Sequence, residues 1–160
     1  VADADDPRLA AFARALDAVC LRLAQLVVRD GEGAQKFVEI AVSGAADEAS
    51  ARRAGLAVAN SPLVKTAIAG GDANWGRVVM ALGKSGEPLA PERLAVRFGD
   101  TLISAGGGVV EGYDEAAVAA HLAGREVRLH VDLGVGDGRA RVWTCDLTHG
   151  YIDINADYRS

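Results

Sequence analysis

From Val127 to Leu133, apolar side chains stand at every second position: Val127, Leu129, Val131 and Leu133 alternate with Arg128, His130 and Asp132. A period of two is satisfied only by an extended strand with one face buried and one face wet. Lys36 to Gly44 carries the same signature, with Val38, Ile40 and Val42 on one side. Such strands need partners. Leu94 to Phe98 and Thr101 to Ser104 read as short strands, with Gly106-Gly107-Gly108 as a loop or hairpin tip. Trp143, Cys145 and Leu147 continue the alternation, Thr148-His149-Gly150 turns the chain, and Tyr151 to Asn155 reads as a last short strand.

A different period runs through the first 30 residues. Leu9, Phe12, Leu16, Val19, Leu23 and Val27 recur every three or four positions from Arg8 to Arg29, the stripe of an amphipathic helix. Asp6-Pro7 suits its start, and Asp30-Gly31-Glu32-Gly33 its end. Cys20 falls on the apolar side, where a free thiol behaves as a small hydrophobe. Asp47 is placed to cap an alanine-rich helix reaching Asn60, and Ser61-Pro62 interrupts it. Leu63 to Ala69 is a further helical piece, and Asp114 caps another through Leu122, with Gly124 at its stop. Trp75 to Leu82 is apolar without a period and fits helix or strand. Helices interleaved with strands that end in hairpins define an α+β fold, helices packed on a mixed or antiparallel sheet.

Only 5% of the 160 residues are aromatic although half are hydrophobic, so the core is aliphatic and alanine-rich. The length corresponds to one domain, residues 1–160, with no internal linker or repeat. A mean hydropathy of +0.13 with 24% charged residues excludes a disordered chain. A net charge of −5 argues against nucleic acid as a partner, because phosphate contacts draw on clustered Lys and Arg. No apolar run approaches the roughly 18 to 20 residues that cross a bilayer. The two cysteines, Cys20 and Cys145, lie far apart with no Cys-x-x-Cys spacing and no nearby histidine pair, which argues against a zinc site or disulfide framework and fits a reducing cytosol. Val1 to Pro7 is acidic, the wrong sign for a secretory signal, and the absence of an initiator Met points to a longer parent chain.

Three segments offer candidate chemistry. Asp30-Gly31-Glu32-Gly33-Ala34 sets two carboxylates on a glycine-flanked turn, and acids at a helix C-terminus oppose its dipole, so the placement is either a solvated turn or a used one. Gly134-x-Gly136-x-Gly138 lacks the following helix that a dinucleotide fingerprint requires and reads as a glycine-rich hairpin. Asp72 to Arg77 fits a hydrogen-bonded loop anchored by Trp75 or part of a polar pocket. His121, His130 and His149 have no neighbour at ligand or triad spacing and read as surface or capping groups. No nucleophile elbow is present.

Five stretches in order resemble the carboxy-terminal part of the ornithine acetyltransferases, also called glutamate N-acetyltransferases. They are Leu26 to Ala34, Asn60 to Ala67, Asp72 to Arg77, Val142 to Thr148 and Ile154 to Ser160. The resemblance implies an N-terminal-nucleophile-type acetyltransferase made as a precursor that cleaves itself before a threonine. That threonine, heading the β chain, takes acetyl from N-acetylornithine and passes it to glutamate in ping-pong fashion. The oxyanion hole belongs to the α chain. No metal or nucleotide cofactor is implied, although acetyl-CoA is a second donor in bifunctional members.

On this resemblance the sequence is the carboxy-terminal portion of a β chain. The threonine lies upstream of Val1, so no catalytic residue is expected here and the 160 residues alone should be inactive. The α chain and the amino-terminal part of the β chain are the implied partners, in a cytoplasmic α2β2 assembly. Glu32, Asn155 and Ser160 match substrate-binding positions, Glu32 being suited to an ammonium group of an amino acid. Where the family commonly has threonine after Asp-Gly-Glu-Gly-Ala, this chain has Gln35. Two other readings remain at this level: a hydrolase or aminopeptidase on a related scaffold, and a non-catalytic small-molecule binding module.

Overall fold

A computed structural model describes residues 6–156. Among them six strands form one mixed sheet: β1 (Phe37–Ala45), β2 (Ala95–Phe98), β3 (Thr101–Ala105), β4 (Gly108–Val109), β5 (Glu126–Asp132) and β6 (Gly138–Cys145). Their spatial order is β4-β3-β2-β5-β1-β6, with β1 and β5 parallel and every other pair antiparallel. Six α-helices accompany them: α1 (Ala10–Arg29), α2 (Glu48–Ala59), α3 (Pro62–Ala69), α4 (Trp75–Gly83), α5 (Glu115–Ala123) and α6 (His149–Ala156). The class is α+β.

The alternation sorts the sheet into two unlike faces. In register across β5, β1 and β6, Val127 lies beside Val38, Leu129 beside Ile40, and Ile40 beside Val142. These side chains are buried together with Val96 and Phe98 of β2. Helices α2 and α4 cover this face with Ala51, Ala54, Val58, Val78 and Leu82, and α5 adds Val118 and Leu122. Gly55 lets α2 come close: a Cβ there would stand 3.0 Å from Val142 and 3.3 Å from Val42. Small residues on the helix and branched aliphatics on the strands thus give a dense core with few aromatic rings.

The helix starts follow the capping residues. Asp47, Ser61, Asn74 and Asp114 each accept a hydrogen bond from the backbone N–H three residues on. Trp75 to Gly83 is therefore helix, and the Asp72 to Arg77 stretch is the loop and first turn that start it, with Asn74 as its cap. The Asn74 amide donates to Asp72 Oδ2, and the Arg77 guanidinium donates to Leu63 O and Thr66 Oγ1, tying α4 to α3.

Two expectations are corrected. The glycine run is no hairpin, because β5 and β6 flank β1 rather than each other. Leu133 N–H donates to Ser43 O, and the Val135 and Gly136 N–H groups donate to Gly44 O, so the run crosses over the end of β1. A side chain at Gly138 would overlap the backbone of Asp47, which explains glycine in that crossing. The second correction concerns Tyr151 to Asn155, which is helix α6, not a strand. Thr148 decides it: Thr148 Oγ1 accepts from Gly150 N–H and Thr148 O from Tyr151 N–H, closing a first turn.

Helix α1 keeps its apolar stripe in the open. None of its residues is buried, and Phe12, Leu23 and Val27 are 63%, 57% and 75% exposed. Cys20 is exposed on the same helix instead of packed as a small hydrophobe. The helix is secured at its C-terminal end. There the Arg29 guanidinium pairs in two-pronged fashion with Glu126, holding that carboxyl below its usual range, and lies 3.7 Å over the Phe37 ring. No helix among the described residues is long and apolar enough to cross a membrane.

Candidate functional site

The acidic turn after α1 is a built loop. Asp30 ends the helix through its N–H on Leu26 O, and Gly33 follows with a φ of 70°, a conformation that disfavours any side chain. Gly33 also faces the first turn of α6, where an added Cβ would collide with the backbone of Gly150 and Tyr151. Thr148 Oγ1 donates to Gly33 O at 2.6 Å. Beyond the turn, Asp146 Oδ1 accepts from the N–H groups of Gln35 and Lys36 at 2.8 and 2.9 Å. Asp146 is only 3% exposed, and these charge-assisted bonds are strong in such surroundings. Its second oxygen, Oδ2, is buried with no hydrogen-bond partner among the described residues.

This clamp brings two of the expected substrate-binding residues together. Asn155 Nδ2 on α6 donates to Glu32 Oε2 at 2.7 Å and to Tyr151 O at 2.9 Å. The two residues are 123 positions apart in sequence, and both are exposed. The bond to Tyr151 O, one helical turn back, exists because α6 is a helix. The third expected residue, Ser160, lies outside the described residues. A cleft of about 860 Å³, lined among others by Gln35, Thr66, Leu147, Tyr151 and Ile152, includes neither Glu32 nor Asn155 but shares Tyr151, whose carbonyl accepts from Asn155. A carboxylate beside an amide, next to a partly apolar cleft, suits a ligand with an ammonium group and an aliphatic stem.

Sequence reasoning missed the groups that fix this geometry. Asp146 and Thr148 stand in the Val142 to Thr148 stretch but drew no role, because the turn they hold is more than a hundred residues away. The change at Gln35 has a simple reading: residue 35 is anchored through its backbone N–H, which any residue but proline supplies.

His130 is also corrected. Far from lacking partners, it is half-buried with Nε2 3.0 Å from Ser43 Oγ, and Ser43 Oγ is 3.0 Å from Asp132 Oδ2. Burial pushes its pKa down. His121 caps a backbone group, its Nε2 accepting from Arg128 N–H at 2.9 Å. Among the described residues no three His, Cys, Asp or Glu side chains are grouped to hold a metal ion.

The architecture has a solved counterpart. The crystal structure of arginine biosynthesis bifunctional protein ArgJ from Bacillus halodurans superimposes with a TM-score of 0.92 at 38% identity, over 98% of this chain and 73% of that one. In class, then, this is an α+β chain of the kind that structure contains. The ArgJ family model matches residues 1–160, and the chain belongs to the ArgJ family. The ArgJ protein of Gluconobacter oxydans is 65% identical over 160 residues. Its counterparts in Zymomonas mobilis and Brucella suis are 62% and 56% identical, over 91% and 100% of this chain. The chain spans 38%, 36% and 39% of the lengths of these three relatives.

Proposed function

We propose that this chain forms the amino-acid-binding wall of a glutamate N-acetyltransferase of arginine biosynthesis. The enzyme moves acetyl from N-acetylornithine to glutamate through an acyl-threonine intermediate. The threonine and the oxyanion hole stand on polypeptide outside these 160 residues, in an α2β2 assembly in the cytoplasm. The observation that carries the reading is the Glu32–Asn155 contact at 2.7 Å, formed by two residues that the family resemblance marks for substrate. Family membership and the printed names of the relatives support the pathway.

Glu32 and Asn155 hold the ammonium end of the ligand, and the adjoining cleft takes its aliphatic stem. The family resemblance adds Ser160 to the residues that bind the ligand. Uniform binding of this kind positions the substrate against a nucleophile supplied from elsewhere. The open stripe of α1 is where the remaining polypeptide packs, since a run of exposed apolar side chains such as Phe12, Leu16, Leu23 and Val27 marks an interaction site.

The test is an acetyl-exchange assay on the full-length protein and on this chain alone. Full-length protein is expected to transfer acetyl from N-acetylornithine to glutamate with little release of free acetate, and this chain alone to be inactive. Glu32→Ala in the full-length protein is expected to raise KM about 10- to 100-fold, the loss of one charge-assisted contact, while precursor cleavage proceeds. Acetate release without transfer would move the reading to a hydrolase. An unchanged KM would remove Glu32 from the site.

A further inference from the structure

The sheet face opposite the core cluster of α2, α4 and α5 carries, among the described residues, a second constellation that the acetyl-transfer reading does not use. We propose that it is a binding site for a small oxyanion bearing its own O–H or N–H donor, held by Arg97 and Arg93 and by His130.

Register puts these groups together. On β2, Arg97 lies beside His130 of β5, and Ala95 beside Asp132; on β1, Ser43 lies beside Asp132. A cleft of about 520 Å³ opens there, lined by Arg93, Arg97, His130 and Asp132 and closed at one side by the Gly134 to Asp137 crossing. Arg97 is half-buried yet has no ion-pair or hydrogen-bond partner among the described residues, whereas Arg29 and Arg53 each hold a carboxylate in two-pronged fashion. A guanidinium in that state is a ready fork for a carboxylate or phosphoryl group. Arg93 is exposed at the rim, 4.0 Å from Glu92, free to turn inward.

The cleft also holds two acids, Asp132 and Asp137, whose charges offset part of that of Arg93 and Arg97. Asp132 is committed inside the protein, accepting from Gly134 N–H through Oδ1 and from the Ser43 hydroxyl through Oδ2. Asp137 is exposed on the crossing. An ionised carboxylate only accepts, so Ser43 gives its proton to Asp132 and takes one from His130 Nε2. This fixes the ring and its tautomer and leaves Nδ1 with no partner among the described residues. With burial, Arg97 and Arg139 opposing protonation against Asp132, the ring is neutral near pH 7 and Nδ1 accepts. Two guanidinium forks beside one fixed acceptor match hydrogen phosphate, or a carboxylate with a neighbouring hydroxyl or amine. The site shares no residue with the Glu32–Asn155 pair: it sits at the Ser43 end of β1, about 20 Å of strand from the Phe37 end that follows the Glu32 loop.

The experiment uses the full-length protein, with inorganic phosphate and lactate as probes, read by calorimetry and by the chemical shift of the His130 ring. At least one probe is expected to saturate with a Kd of about 1 mM or tighter and to move the His130 signal. Tighter phosphate binding identifies a phosphoryl source, and tighter lactate binding a hydroxycarboxylate one. Arg97→Gln is expected to weaken binding at least about tenfold, Arg93→Gln less, and Arg52→Gln, on the exposed side of α2, not at all. Neither variant in the cleft removes a core contact, and an unchanged thermal midpoint verifies that. No saturation by either probe up to about 10 mM, or equal binding by Arg97→Gln, overturns the proposal.

Discussion

Gly33→Ala in the full-length protein is expected to lower kcat/KM for acetyl transfer by about 30-fold or more. The reason is local and steric. Gly33 has a φ of 70°, and a methyl group there meets the backbone of Gly150 and Tyr151, which cannot rotate away as a side chain would. Strain plus displacement comes to about 2 kcal/mol or more. The chain relieves it by parting the acidic turn from the start of α6. That breaks the Thr148–Gly33 bond and withdraws Asn155 from Glu32. Most of the effect should appear in KM, since the nucleophile is untouched. Steady-state kinetics at varied N-acetylornithine measure it, and wild-type KM would show that the clamp does not shape the site.

Asp146→Ala carries the second large effect, this time on stability as well. It strips two part-buried backbone N–H groups, those of Gln35 and Lys36, of their acceptor and costs about 1 to 3 kcal/mol. Asp146→Asn keeps a carbonyl acceptor while losing the charge, and is expected to lose roughly half as much. Thermal unfolding of the two variants beside the parent reads the ranking, and a raised KM in both would tie the anchor to the site. Equal stability of Asp146→Ala and the parent would mean that water replaces the carboxylate without loss.

The sheet was legible because alternation at Val38 to Val42 and Val127 to Leu133 leaves no other conformation that buries those side chains on one side. Helix starts were legible from Asp47 and Asp114, whose caps act over three residues. What failed was decided at long range or by weak local forces. Parallel pairing of β1 with β5, and hence the crossing by Gly134 to Gly138, depends on what lies between strands 80 residues apart. Helix α6 buries nothing, so no packed face marked Tyr151 to Asn155 as helix, and the first turn set by Thr148 governs. The site divides likewise. Glu32 and Asn155 were named through the resemblance, and no spacing rule relates residues 123 apart. The Ser43–His130–Asp132 chain had no such prompt and was missed, because its members meet only across strands.

A double-mutant cycle on the KM for N-acetylornithine tests most directly whether the turn after α1 and the last helix act on substrate as one unit. The full-length protein is compared with Glu32→Ala, Asn155→Ala and the pair of substitutions together. If the two side chains grip one ligand group, the double variant is expected to bind little worse than either single one, a coupling of about 1 to 3 kcal/mol. Strictly additive losses, or no loss in either single variant, would contradict it.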